Sequence, residues 1–406
     1  MVRVGLLSPV VGWTQGVPHY VAALGNALAR RHDVHLFGGA IQCGMLASVC
    51  THRVPSLPLG ATLFHASYRA LLPHTQRWAR RRPDHDFDIL HGCGWPTPNA
   101  SVITAHFCQS REVQLLKALP SRRKRRTPAQ GLRWLDYRMY SLMSAYMERR
   151  YYSDLPAKAV IAISQSVKQD LVDEFGISEE RVHVVPDGVD VERFHPRNRL
   201  LYRDAVRREL GLEPDDMVAL FVGNAWERKG LRACIQAIRF HPESRLKLLV
   251  VGDGDPSSFI EAGDGKELSR RVRFIGRRQT NVERYYAASD FLLFPTLYEP
   301  FGLVILEALA SGLPVVTSAS AGAAEHLTHG ETGLLLGDPL DSTELKSRLD
   351  ALLEEPGLAA RLGSQGRLLA EEFTWDRIAD RTVEVYRQVL GGRPATDHQQ
   401  LLASAA

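Results

Sequence analysis

Short apolar runs alternate along the chain with longer segments whose apolar positions recur every three or four residues. The runs "VRVGLLS", "VHLF", "DILHG", "SVITAH", "AVIAIS" and "VHVVP" read as strands, and Tyr20 to Arg31 reads as the first of the intervening helices. Strands separated by helical patterns predict a parallel sheet with crossover helices. After "PDGVDVERFHP" the alternation restarts with "MVALFVG", "LKLLVVGDG", "VRFIG", "FLLFP", "PVVTS" and "GLLL". The fold class is therefore α/β, with two doubly wound, Rossmann-like domains. Pro196 and its polar neighbours break the pattern between Phe194 and Arg197, which sets the domains at 1–195 and 196–373. "FTWDRIADRTVEVYRQVL" predicts a last helix over 374–391, and 392–406 reads as a disordered tail.

Length supports the division, since 406 residues exceed one ordinary core. Apolar content of 45% and charged content of 24% belong to a globular protein. No run of 18 apolar residues occurs and the start lacks a basic segment with a cleavage site, so a cytosolic location is expected. The five cysteines form no C-x-x-C pair and are odd in number, which favours reduced thiols over disulfides. His91, Cys93, His106 and Cys108 fit no zinc template, and no metal site is expected. Charge is uneven: up to Arg150, 20 Lys and Arg face 7 Asp and Glu, a net +13, and the remainder carries −9. The basic half suits an acidic partner such as an anionic membrane surface or a phosphorylated acceptor.

Candidate chemistry is densest in "TLYEPFGLVILEALASGLPVV". Pro300 keeps Glu299 out of the α region, good helix formers fill Gly302 to Ala310, and Gly312 with Pro314 ends the helix. The amides from Phe301 to Val304 then lack intrahelical partners and offer an anion site, and Gly302 permits close approach of a ligand. Glu307 lies on a helix with almost no polar face and needs a partner. Ionised carboxylates accept hydrogen bonds from neutral hydroxyls, so two acids flanking an anion site suit a diphosphate between two polyols, as in a nucleotide sugar.

The Glu299-x7-Glu307 spacing resembles the signature of retaining glycosyltransferases of the GT-B fold, family 4 (glycosyl transferases group 1). The likeness runs from Arg3 to about Leu390 and is most specific between Phe221 and Gly337. It implies two Rossmann-like domains facing a central cleft, with the last helix crossing back to the N-terminal, acceptor-binding domain. It also implies that Glu299 contacts the donor sugar, Glu307 holds the ribose, and the backbone of Phe301, Gly302, Leu303 and Val304 meets the diphosphate. "FVGNAWERKG" follows a strand and precedes a helix, so Arg228 and Lys229 read as an anion clamp. The family pattern matches them, with Gly223 opening the loop, and departs at Asn224, where many members carry a second basic residue. "VITAHFC" places His106 past a strand end and resembles an element near the donor sugar and acceptor. Gly16 stands in a loop where many relatives have paired glycines, and Ile275 and Gly276 of "RFIGR" resemble the base-binding element. "PDGVD" has Asp187 where the family turn has Asn.

A nicotinamide dehydrogenase also has two such domains, but the G-x-G-x-x-G spacing is missing after both leading strands. The basic run Arg122 to Arg126 leads into a helical stripe of Leu132, Leu135, Met139, Leu142 and Tyr146. The simpler reading is a core helix behind a solvated loop; the alternative is an interfacial segment that holds the protein peripherally on the inner face of the membrane. No stacking platform for nucleic acid is present. The sequence thus leads to a retaining, metal-independent hexosyltransferase with His106, Arg228, Lys229 and Glu299 as catalytic residues and His106 also at the acceptor. The co-substrate is a nucleotide diphosphate sugar, a UDP-sugar favoured, no separate cofactor is expected, and the acceptor is a hydroxyl of a glycan, glycolipid or natural product. The alternatives are an epimerase or phosphorylase of the same fold, or a non-catalytic sugar-binding scaffold.

Overall fold

The computed structural model describes residues 1–12, 16–42, 45–80, 86–94, 97, 99–118, 128–241, 245–260, 268, 270–278 and 280–391. The chain divides into two compact units, Met1–Val185 with Trp375–Ala406, and Pro186–Thr374. The expected tail, 392–406, and the basic run Arg122 to Arg126 lie outside the described residues.

The first unit holds a seven-stranded parallel sheet: β1 (Arg3–Val11), β2 (Asp33–Ile41), β3 (Val49–Arg53), β4 (Ile89–Cys93), β5 (Val102–Ala105), β6 (Ala159–Ala162) and β7 (Val182–Val184), in the order β3-β2-β1-β4-β5-β6-β7. Central strands such as β4, β5 and β6 are buried at every position, as expected where helices cover both faces. The helix Trp375–Val389 returns to this unit, putting Ile378, Val383 and Tyr386 into the core with Leu6, Tyr20 and Leu24. Polar ties accompany the packing: Arg30 meets Asp376 at 2.5 Å, and Tyr386 Oη lies 2.6 Å from His91 Nδ1.

The second unit holds six parallel strands: β8 (Met217–Val222), β9 (Leu246–Val251), β10 (Val272–Gly276), β11 (Phe291–Phe294), β12 (Val315–Ser318) and β13 (Leu334–Leu336), in the order β10-β9-β8-β11-β12-β13. Its boundary falls at Pro186 rather than after 195 because the intervening turn is fastened to this unit. Val189 N donates to the Phe373 carbonyl at 2.8 Å, and Arg367 Nη1 donates to the carbonyls of Val191 and Phe194, each at 3.0 Å. The Phe194 ring packs edge-on to Tyr286, with centroids 5.3 Å apart. Pro196 therefore breaks the helical pattern inside the second unit.

The helix Pro128–Asp154 corrects the core-helix expectation. Leu135, Met139, Leu142 and Tyr146 are exposed, between 51% and 63%. Burial belongs instead to the side carrying Glu148, Tyr151 and Tyr152, so the apolar stripe faces outward. The helix also positions Asp136, whose carboxylate accepts from Ala61 N at 2.9 Å at the start of the helix Gly60–Arg80.

Candidate active site

In the second sheet the order of strands reverses between β8 and β11, which leaves a crevice at their carboxyl ends. Two loops leave there side by side. Gly223 follows β8 at φ 144°, and a Cβ at that position would lie 2.6 Å from Lys229 Cδ. A Cβ on Gly230, at φ 81°, would lie 1.9 Å from the Pro295 carbonyl oxygen. Glycine at both positions lets the loops meet backbone to backbone and lets the Lys229 stem cross the strand end.

Lys229 Nζ reaches Glu299 Oε2 across this junction and lies 4.9 Å from the Phe294 ring centroid. Arg228 Nη1 is 3.7 Å from the same carboxylate oxygen and donates to the Tyr298 carbonyl. The expected clamp is thus an ion-pair cluster that includes the first acid of the motif. Its three side chains remain 12% to 16% exposed, enough to meet a ligand while holding each other in position. Asn224 does not add charge: its Oδ1 accepts from Asp253 N at 2.8 Å and ties the loops after β8 and β9 together.

The helix Leu303–Ala310 begins where the motif predicts. Gly302 caps it at φ 99° and ψ 62°, a left-handed conformation suited to glycine. Leu303 and Val304 sit in the first turn, where amides have no intrahelical acceptor and the positive end of the helix dipole falls. Phe301 is buried, and its carbonyl accepts from Ala323 N at 2.7 Å, fixing the loop that leads into the helix. Glu307, one turn in, receives the Tyr286 hydroxyl at 2.5 Å. Burial pushes the Glu307 carboxyl up, an effect opposed by the Tyr286 hydrogen bond and by Arg193. Tyr286 went unnoticed in the sequence because the six-residue helix Glu283–Ala288 that carries it has no readable periodicity.

Ile275 and Gly276 end the edge strand β10. Ile275 is half-buried, Gly276 is exposed at φ 75°, and the Gly276 carbonyl accepts from Gly252 N at 3.1 Å. Trp226 was also missed: it is buried between Phe259 and Phe274, and its indole N–H donates to the Gly223 carbonyl at 2.9 Å. An isolated Trp in a loop carries no spacing signal.

In the first unit the corresponding reversal lies between β1 and β4. Gly16, at φ 81°, starts the helix Val17–Leu28, and its carbonyl accepts from His19 N and Tyr20 N at 3.0 and 3.1 Å. His106 follows β5 and is buried, its ring edge-on to Tyr20 with centroids 4.4 Å apart. Burial lowers its pKa to about 3, so the imidazole is neutral, and its Nε2 has no hydrogen-bond partner. It lines a cavity of about 30 Å³ with Gln109, Tyr140, Ser144 and Glu148. Of the His91, Cys93, His106 and Cys108 grouping, both His91 nitrogens are hydrogen-bonded, to Tyr386 and to Thr104 Oγ1 at 2.7 Å.

Two family profiles cover most of the chain. "Glycosyltransferase Family 4" matches residues 14–193, and "Glycosyl transferases group 1" matches residues 203–369. The chain belongs to the group 1, family 4 glycosyltransferases. D-inositol 3-phosphate glycosyltransferase of Rhodococcus jostii is 34% identical over 239 residues, 56% of this chain and 52% of that protein. The chain thus matches about half the length of that curated relative. Among solved structures, WaaG, a glycosyltransferase involved in lipopolysaccharide biosynthesis, aligns over 94% of this chain and 99% of that one, with a TM-score of 0.72 at 23% identity. Anabaena HepE in complex with UDP and glucose aligns over 96% and 100%, with a TM-score of 0.65 at 19% identity. These likenesses establish the GT-B fold of the family.

Proposed function

We propose that the chain is a retaining glycosyltransferase that moves a hexose-type sugar from a nucleotide diphosphate sugar to a hydroxyl of a glycan, glycolipid or natural-product acceptor. The observation that carries this reading is the Lys229–Glu299 pair at the crevice of the second sheet, beside the helix start capped by Gly302. Arg228, Lys229 and the helix amino end supply the positive charge that a leaving diphosphate requires. On this reading the transfer is metal-independent and needs no cofactor beyond the nucleotide sugar itself. Glu299 faces the donor sugar and Glu307 the ribose, while Ile275 and Gly276 take the base. A UDP-sugar is favoured, and the UDP-bound state of HepE supports that choice.

The acceptor belongs to the first unit, around His106, whose neutral ring can donate or accept a hydrogen bond. The bond from the sugar's anomeric carbon to the diphosphate breaks as the bond to the acceptor oxygen forms on the same face. The acceptor proton passes to the departing diphosphate oxygen. The exposed stripe of Leu135, Met139, Leu142 and Tyr146 supports a second element of the reading, a cytoplasmic protein held peripherally on an anionic membrane surface. No helix among the described residues is long and apolar enough to cross a membrane.

A thermal-shift panel of UDP, GDP, ADP and dTDP sugars tests the donor assignment. A ligand at a hundred times its Kd adds about 2.7 kcal/mol of stability, so one nucleotide should stand apart. Donor hydrolysis followed by anomeric analysis should give the donor's own configuration. Inversion would reject retention, and no response to any nucleotide would reject the donor site. Co-sedimentation with anionic vesicles should fall with added salt; negligible pelleting at low salt would reject the membrane element.

A further inference from the structure

A second group of reactive side chains lies at the edge of the first sheet, where β2 pairs with β3. The parallel register sets His35 beside Cys50 and Phe37 beside His52. Alternation along β3 puts Cys50 and His52 on one face. His35 Nδ1 lies 2.8 Å from His52 Nε2, Cys50 Sγ lies 3.6 Å from the same nitrogen, and one ligand atom of each residue lies within 4.8 Å of the other two.

We propose that His35, Cys50 and His52 form a binding site for a thiophilic divalent cation, zinc foremost, held by two imidazole nitrogens and one thiolate. Tetrahedral zinc with ordinary Zn–N and Zn–S bonds separates such ligand atoms by roughly 3.3 to 3.6 Å. The Cys50–His52 spacing already has this value, whereas the two imidazole nitrogens need to part by about half an ångström and the rings, now 8° from parallel with centroids 5.1 Å apart, need to turn so that both lone pairs meet on the ion. Ligand softness points the same way, since imidazole with thiolate selects zinc over magnesium or calcium.

The surroundings prepare the nitrogens. Asp33 Oδ1 lies 3.3 Å from His35 Nε2, so the carboxylate fixes the proton on that nitrogen and leaves a lone pair on Nδ1. In the tautomer with the proton on His35 Nε2, His52 Nε2–H donates to that lone pair. A cation takes the place of this proton, His52 carries its hydrogen on Nδ1 instead, and the Cys50 thiol releases one proton to solvent. Aromatic walls hold the rings: Phe37 stacks on His52 with centroids 4.5 Å apart, and Phe87 meets His35 edge-on at 5.1 Å. His35 is buried and Cys50 exposed, which gives a fixed inner ligand and an open approach for the ion and a water in the fourth position.

All these residues belong to the first unit, whereas the residues proposed to hold the donor belong to the second. The site is therefore separate from the transfer chemistry. Its effect is to tie the edge strand β3 to β2 by a bond stronger than the ladder alone, and to cover an exposed thiol.

The full chain, freed of metal by a chelator, is titrated with Co²⁺ and followed by absorbance. One equivalent should bind with a thiolate-to-cobalt charge-transfer band, Zn²⁺ should displace it, and Zn²⁺ should raise the melting temperature. Cys50→Ser should abolish the band, and His52→Ala should weaken Zn²⁺ binding by about 100-fold or more. Circular dichroism and nucleotide binding by the second unit confirm that each variant is folded. No band in the wild type at saturating Co²⁺, a band of equal intensity in Cys50→Ser, or unchanged Zn²⁺ affinity in His52→Ala would each overturn the proposal.

Discussion

The hydroxyl of Tyr286 donates to Glu307 Oε2 at 2.5 Å and holds the second acid of the motif in place. A buried carboxylate with a single fixed donor keeps its other lone pairs for a ligand. Glu307→Ala is expected to weaken nucleoside diphosphate binding by about 1 to 3 kcal/mol, because the ribose loses a charged acceptor. Tyr286→Phe keeps the carboxylate but frees its orientation, so the loss should be smaller. Calorimetry on both folded variants checks the order; equal, wild-type affinity in Glu307→Ala would remove the ribose assignment.

Lys229 acts on charge that grows as the diphosphate leaves. Lys229→Ala should lower turnover at saturating donor by ~100-fold or more while the fold survives. Lys229→Gln restores a polar side chain without charge and should gain little. Turnover equal to wild type would assign the Lys229–Glu299 pair a structural part only.

Asp187 should make stability pH-dependent. The carboxyl is buried, its Oδ1 has no hydrogen-bond partner, and burial raises its pKa to about 7. Between the ordinary value of 3.8 and about 7 the folded chain keeps a proton that the unfolded chain has released. The contribution is therefore favourable at low pH and is lost as pH rises through that window. Asp187→Asn should flatten the profile and stabilise the protein above about pH 7. Urea midpoints at about pH 5 and pH 8 measure this; parallel profiles for the two proteins would contradict it.

Asp290 immediately precedes β11 and lies between Arg203 and Arg207, each at 2.7 Å, and it accepts from Val218 N at 2.8 Å. Asp290→Ala leaves the buried Arg207 guanidinium without its countercharge and should cost about 3 to 5 kcal/mol. A denaturant midpoint within error of wild type would show that the carbonyls of Ala288, Glu213 and Asp216 suffice for Arg207.

What could be read before folding was whatever depends on neighbours in the chain. Strands β8, β11 and β13 are unbroken apolar runs, and the Gly302 cap follows from Pro300, glycine and the helix formers after them. Lys229 was legible after a strand and Glu299 just ahead of a helix, but their pairing needed β8 and β11 to be adjacent. His35 and Cys50 gave no signal because only the β2–β3 register brings them together. The outward stripe of the helix Pro128–Asp154 was misread because periodicity shows that a face is apolar without showing what covers it.

The return of the helix Trp375–Val389 has a consequence for the order of synthesis. Pro186–Thr374 is one uninterrupted stretch, whereas the first unit is built from both ends of the chain. A ribosome therefore releases the second unit complete while the first still lacks the helix that covers Leu6, Tyr20 and Leu24 and supplies Tyr386 to His91. The half made first is finished last. Released chains truncated after Thr374 should resist protease over Pro186–Thr374 and be cut within Met1–Val185, whereas chains that include Trp375–Val389 should resist it in both.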